Sequence, residues 1–497
     1  MRLSKTLAFA ALVNEGASSR VVSANFHRVQ FPVDPVQITR RGDTLNLAAI
    51  NNITGGGYYS ELYIGTPGQK TLLHLDTGSS DTWIVDKQAD LCTSRSLQGQ
   101  LGEGCVKPVD SSASSTFKVV SRNGFDITYL DGRNIRGDYI QDTVSFDGKT
   151  TTNQQLGFAT QTVKGSGLMG LGFSENVSSR RRYPTILDSM VAQGHIGRKA
   201  FSMWLNDLSS SEGTVLFGGV DTEKYVGTLT TLPLVEDLNS GSITSYSIAM
   251  TGVAVETPDE RVVQMTADSF NATTILDSGS TVCLFPERLT KSIWAKFGVV
   301  DAGYGLIDCK WRGAMGEGHF IDFDLVRVKI RVPLEEMVLD NLDRIMDQLD
   351  DLTPFDRTCM FGIQNSALFD VTSSRFAILG DTFLRSAYVV YDETNQQVGI
   401  AQANLNSSRS NIIELRANGS ALPTATGVAS QVTTPAPTRT ARGDATRLVS
   451  TASSTPTAGE PESAASHHSA PSSGPEGLFA VLAMAVFTAT GAMLLAD

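Results

Sequence analysis

Leu75-Asp76-Thr77-Gly78-Ser79-Ser80 recurs 201 positions later as Leu276-Asp277-Ser278-Gly279-Ser280-Thr281. Each copy is followed by a second short element, Leu168-Met169-Gly170 after the first and Ile378-Leu379-Gly380 after the second. Self-similarity of this kind marks an internal repeat. Two equivalent halves therefore each present one carboxylate on a turn. Gly78 and Gly279 let that turn close tightly and approach its partner loop.

Around the motifs, from about 57 to 404, short β-branched and aromatic runs are broken by Gly, Asp, Asn and Ser, as in YYSELYIG, KTLLHLDTG, FDITYL and RFAILGD. That pattern predicts an all-β body. Short helices are expected over 188–195 and 286–297. The 497 residues are 41% hydrophobic and 19% charged, which supplies a sizeable core and excludes wholesale disorder. A net charge of −12 argues against a nucleic-acid partner, which would call for a basic footprint. The five cysteines form no CxxC, and the six histidines form no HExxH. No metal site and no cofactor is expected.

At the paired motifs the chain resembles the pepsin-like aspartic proteases, over roughly Tyr58 to Ala403. The resemblance implies a bilobal fold of pseudo-two-fold lobes, a central cleft with one aspartate from each lobe, and a flap hairpin over it. It implies a peptide-hydrolysing enzyme with an acidic optimum and protein or peptide substrates. Two carboxylates in one site cannot easily both ionise, so the pair holds one proton across an acidic window. The ionised member takes a proton from water while the protonated member polarises the scissile carbonyl. Asp76 and Asp277 are assigned these roles jointly. Thr77 and Ser278 look like the family's cross-lobe hydroxyl pair. Ser79 and Ser280 stand where the family places hydroxyls on the outer carboxylate oxygens.

Phe125 to Gly132 resembles the flap strand and its tip. Tyr129 matches the flap tyrosine and Trp83 its indole partner. Leu130 replaces the usual glycine, which puts the tip's turn geometry in question. Asp131 stands where related fungal enzymes carry an aspartate and accept a basic residue just before the scissile bond, since a carboxylate there pairs with Lys or Arg. The alternative is a solvated turn aspartate, because Asp-Gly is common turn chemistry. By the same resemblance Cys309 pairs with Cys359. Cys92 and Cys105 enclose a Gly-rich loop and are expected to pair in an oxidising compartment. Cys283 is left over as a buried thiol.

The ends point to the cell surface. Met1 to Val13 is a basic start followed by a short apolar run, the pattern of a secretory signal. Arg40-Arg41 is a candidate processing site, or a solvated charged pair. Asn52, Asn176, Asn271, Asn406 and Asn418 head Asn-x-Ser/Thr glycosylation acceptors. From 405 the composition turns to Ser, Thr, Ala and Pro, which reads as a glycosylated stalk. Ser463-Ala464-Ala465, a polar spacer and the uncharged run Leu478 to Ala496 have the layout of a GPI-attachment signal, with Ser463 or Ala464 as attachment residue. A tail-anchor helix is the other reading. Within the family this arrangement is similar to the fungal yapsin-type surface enzymes. The expected organisation is signal peptide 1–17, pro-segment 18–41, lobes 42–235 and 236–404, stalk 405–465 and GPI signal 466–497. The protein is then a secreted monomer tethered to the plasma membrane or cell wall.

Other motifs carry less. Gly165 to Gly170 satisfies GxGxxG but lacks the βαβ context of a dinucleotide site. No GxSxG is present. His74 lies two residues before Asp76, on the same side of a strand, and reads either as a strand histidine or as a perturber of the pair. Arg180-Arg181-Arg182 reads as an exposed polar loop. Rival functions are a silent peptide-binding surface protein, a wall component, and a two-carboxylate glycosidase. The mirrored Asp-Thr/Ser-Gly halves favour the protease.

Overall fold

A computed structural model of the chain describes residues 21–28, 57–210, 212–237, 240–259, 261–340, 342 and 352–431, with the backbone alone for 25–28 and 212. The expected signal peptide, Arg40-Arg41, Asn52, Ser463, Ala464 and the apolar run 478–496 lie outside these residues. Among the described residues no helix is long and apolar enough to cross a membrane.

Strands dominate, and the two halves repeat one arrangement. In the first, the strand Gln69–Asp76 pairs antiparallel with Tyr58–Ile64 and parallel with Gly167–Gly170. Trp83–Val85 touches Gly167–Gly170 antiparallel, Trp83 opposite Leu168. In the second, Ala272–Leu276 pairs antiparallel with Ser247–Met250 and parallel with Phe376–Leu379, while Leu284 lies antiparallel to Ile378. Both motif strands are thus flanked on each side, so their ends can be buried throughout, carboxylates included. Thr71 to Thr77 is continuously buried. Tyr58–Ile64 is covered on one face alone over its second half, where Glu61 and Tyr63 face out while Leu62 and Ile64 face in, the period of two of a half-covered strand.

A thirteen-stranded sheet joins the halves. Ala387–Asp392 and Gln397–Ala403, from the second half, pair with Ala200–Trp204 and Tyr225–Pro233 from the first. Phe201, Tyr246 and Tyr391 pack ring against ring at this seam, with centroids 4.8–6.0 Å apart. The strand Val22–Arg28 belongs to the same sheet, between Glu212–Phe217 and Tyr58–Ile64.

Both expected helices form, with one shift. Ile186–Ala192 starts before residue 188 because Thr185 and Asp188 build a capping box, which fixes Asp188 as the third helical residue. It stops short of His195 at Gly194, where φ is +71°. Glu287–Phe297 buries Leu289, Ile293, Trp294 and Phe297 on one face and ends at Gly298.

Composition misplaces one boundary. Residues 405–431, expected in the stalk, pack on the body. Ile412–Glu414 pairs with Gly219–Asp221, and Thr426 and Val428 bridge to Thr228 and Val226. Leu415 and Leu422 are buried, and the buried Arg198 donates to the carbonyl of Gly419. Backbone hydrogen bonds hold this segment, and they do not require apolar side chains.

Disulfides join Cys92 to Cys105 and Cys309 to Cys359, with Cα separations of 5.1 and 5.0 Å. Cys283 remains a thiol, buried beside Thr382.

Candidate active site

The two motif strands deliver Asp76 and Asp277 to the same point. Their carboxyls are hydrogen-bonded to each other, and both side chains are fully buried. Each carboxyl is held in the same way by its own turn. The N–H of Gly78 donates to Asp76 Oδ1 at 2.8 Å, and that of Gly279 to Asp277 Oδ1 at 2.8 Å. The Ser79 hydroxyl donates to Asp76 Oδ2, and the Ser280 hydroxyl to Asp277 Oδ2 at 2.6 Å.

The turns are also tied across the halves. Thr77 Oγ1 donates to the carbonyl of Leu276 at 2.8 Å and accepts from the N–H of Ser278 at 3.0 Å. Ser278 Oγ donates to the carbonyl of Leu75 at 3.0 Å and accepts from the N–H of Thr77 at 3.2 Å. Four buried bonds related by the pseudo-two-fold leave the carboxyls no freedom to separate. Threonine in one copy and serine in the other make identical bonds, because only the hydroxyl is used.

Burial raises both carboxyls above the ordinary aspartate range. For Asp277 the neighbouring Asp76 charge adds to the burial, and it is held well above that range. The mutual hydrogen bond favours the charged form of Asp76 instead. The pair therefore keeps one proton between its two carboxyls, as like-charge neighbours must. His74, fully buried beside the Tyr59 ring, is held neutral by desolvation, with the Lys164 charge adding to it.

The strands Lys118–Thr128 and Asn134–Phe146 form the flap hairpin. Tyr129 at its tip accepts a 2.6 Å hydrogen bond from Trp83 Nε1. The tip turn closes without a glycine at Leu130, since Gly132 supplies the positive φ of +78°. Leu130 instead packs against the second-half cluster that contains Val282 and Tyr304, so the flap reaches across the cleft. Asp131 is not a solvated turn residue. It is buried, its Oδ1 accepts from the N–H of Arg133 at 2.9 Å, and its Oδ2 lies 3.3 Å from Arg133 Nε.

Sequence reasoning missed three charged groups here. Asp81 accepts hydrogen bonds from Tyr139 at 2.9 Å, Tyr183 at 2.6 Å and the N–H of Ser178 at 2.6 Å, and so anchors the base of the flap. Its only signal was a lone charge inside a run of hydroxyl and apolar residues. Arg133 and Lys164 gave none, because a cation in a polar loop reads as solvated. Yet Lys164 is only 3% exposed, and burial pulls its pKa down to about 8.

Among the glycosylation candidates, Asn271 and Asn418 are exposed. Asn176 and Asn406 are half-buried, and their amides donate to the carbonyl of Thr244 at 2.6 Å and to Asp207.

Comparison with known proteins agrees with this geometry. A family model described as Eukaryotic aspartyl protease matches residues 57–403. The chain is 36% identical over 385 residues to the probable aspartic-type endopeptidase opsB of Aspergillus fumigatus, covering 76% of this chain and 74% of that protein. It is 32% identical over 403 residues to candidapepsin of Candida tropicalis, covering 79% and 91%. Similarity extends to secreted aspartic protease 8 of Candida albicans, 31% identical over 375 residues, 75% of this chain and 81% of that protein.

Proposed function

This chain belongs to the eukaryotic aspartyl protease family and is an aspartic endopeptidase, and from that premise we propose that Asp76 and Asp277 are its catalytic pair. The observation that carries the assignment is two fully buried carboxyls hydrogen-bonded to each other on turns tied across the halves. The ionised member of the pair takes a proton from water as the water oxygen bonds to the scissile carbonyl carbon. The protonated member gives its proton to the carbonyl oxygen. The tetrahedral diol then collapses: the C–N bond breaks, the departing nitrogen takes the proton that the first carboxyl accepted from water, and a hydroxyl proton returns to the second. Tyr129 and Trp83 close the flap over the peptide. Thr77, Gly78, Ser79, Ser278, Gly279 and Ser280 hold the carboxyls in place.

The finer reading is cleavage after Lys or Arg, with Asp131 as the recognising carboxylate. Its burial at the flap tip supports this, since a buried carboxylate binds a cation strongly. Arg133 already holds that carboxylate, so a substrate cation has to share it. Asp131→Thr is expected to lower kcat/KM for a Lys peptide by about tenfold, the worth of one charge-assisted bond, and for a matched Leu peptide far less. Equal loss on both peptides would remove Asp131 from specificity.

We further propose that the enzyme is made as a secreted zymogen, glycosylated, monomeric, and held at the cell surface through a GPI anchor. The basic, apolar start and the order of small residues, spacer and apolar run support this.

The decisive experiment is digestion of a mixed peptide library by the processed enzyme from about pH 3 to 7, a window spanning the carboxylate range, beside Asp277→Asn. Cutting by the wild type alone establishes the pair. No cutting by a folded, processed wild type would favour a peptide-binding role for the cleft.

A further inference from the structure

The peptide-hydrolysing reading leaves Lys164 without a task. It lies on the turn that leads into Gly167–Gly170, the strand beside Asp76. Its backbone is clamped by one hydroxyl: Thr162 Oγ1 donates to the Lys164 carbonyl at 2.8 Å and accepts from its N–H at 3.0 Å. The ammonium is thereby aimed under the flap, 5.8 Å from the centroid of the Tyr129 ring. It is buried, and among the described residues its Nζ makes no hydrogen bond. Three donors on a buried cation without an acceptor are strongly unfavourable.

Among the described residues, the charged and titratable groups facing it are Tyr129, Arg133, Asp131, Glu103, Asp76 and His74. None of them accepts a hydrogen bond from its Nζ. Asp131 is taken by Arg133, and Glu103 accepts the N–H of Gly165 at 2.6 Å. Asp76 is taken by Ser79, Gly78 and Asp277. His74 is neutral, and Arg133 repels it. The missing acceptor is one that a substrate could bring.

We propose that Lys164 forms a subsite beneath the flap for an acidic side chain of the substrate, an Asp or Glu flanking the scissile bond. The assignment rests on the cleft being a peptide-binding cleft. A carboxylate suits the site better than a backbone carbonyl, because it neutralises the ammonium as well as accepting its hydrogen bonds. Arg133 adds a second cation nearby. With Asp131 at the same tip, the flap sorts both signs of charge, so good substrates carry an acidic residue close to a basic one.

The test uses the full-length, processed enzyme and peptide pairs that differ only by Glu or Gln, scanned across the positions flanking one cleavage site. It is run at about pH 5.5, where a free Glu side chain is ionised. In wild type, Glu should exceed Gln in kcat/KM by about tenfold at one position, the worth of a charge-assisted bond. The ratio should fall to about one in Lys164→Met, survive in Lys164→Arg, and invert in Lys164→Glu, where the charge is reversed. The same ratios, read as affinities of the Asp277→Asn variant, need no turnover and no folded Lys164→Met protein when wild-type and Lys164→Arg backgrounds are compared. Absence of cutting with the affinity preference intact would sink the hydrolytic reading alone. No position favouring Glu in wild type, or a preference that persists in Lys164→Met or Lys164→Glu, would overturn the subsite. Equal loss on Glu and Gln peptides would overturn it too, since a structural lysine behaves that way.

Discussion

A methyl group at Gly78 would lie 2.5 Å from Asp277 Oδ1 and 2.6 Å from its carboxyl carbon. The glycine is required by the partner carboxylate as much as by its own turn. Gly78→Ala is therefore expected to push the carboxyls apart and cut kcat by about a hundredfold or more, the usual effect of a misplacement near 1 Å. A kcat measurement beside a thermal unfolding curve would separate this from loss of fold. Tyr129→Phe leaves the buried Trp83 N–H without its acceptor, at a cost of about 1–3 kcal/mol. It should raise KM and loosen the flap with little change in the pH profile. At this scale the sequence was most informative about the carboxyls and hydroxyls, because a repeated motif carries its own geometry. It was silent about Lys164 and Arg133. Lys164 is covered by a flap from an earlier part of the chain, and Arg133 sits in that flap's own tip turn, so the burial of both depends on where the flap lands and no local pattern encodes it.

At the scale of elements, strands and the flap followed from alternation and turn residues. The segment 405–431 did not. Its Ser, Thr, Ala and Pro content looks like a stalk, and its fully buried apolar side chains are Leu415 and Leu422, with Leu405 packed part-buried against the same cluster. The rest is held through main-chain bonds such as Leu415 N–H to the Gly218 carbonyl at 2.8 Å and Val428 N–H to the Tyr225 carbonyl at 2.9 Å. Two buried leucines are worth about 3–6 kcal/mol together. A protein ending at 404 should unfold at lower temperature than one ending at 431, and should be proteolysed faster at Gly219–Asp221, which would lose its strand partner. Equal melting of the two forms would show the segment to be passive.

For the molecule as a whole, the internal repeat made the two-fold plan legible, but not the sheet that seals it. The seam pairs Ala200–Trp204 with Ala387–Asp392, and beside it Lys199 bonds Glu393 and lies 3.2 Å from Asp188. Burial pushes Glu393 up to about 7 from its ordinary 4.5, although Lys199 opposes this. Below pH 4.5 the residue is protonated in both the folded and the unfolded chain. Between 4.5 and 7 the unfolded chain ionises first, so the folded state loses stability as pH rises through that window, and the loss is complete above it. Glu393→Gln should flatten the decline of unfolding temperature from pH 4.5 to 7. An unchanged decline would place its origin elsewhere. The proposed catalytic pair works in the same direction: activity needs one proton held between the two carboxyls, so it should fall once pH passes the raised pKa of the pair.

The strand Val22–Arg28 lies upstream of Arg40-Arg41 and fills a slot between Glu212–Phe217 and Tyr58–Ile64. A peptide cut at the dibasic pair would sever the connection without removing the ladder. The product of such a cut is a nicked two-chain particle, one species on a native column and two on a denaturing gel. Departure of the short chain would bare two strand edges facing each other, a vacancy that any extended segment of suitable length could enter. Maturation would then be a matter of strand exchange as much as of bond cleavage, and its rate would follow the concentration and sequence of whatever competes for that slot.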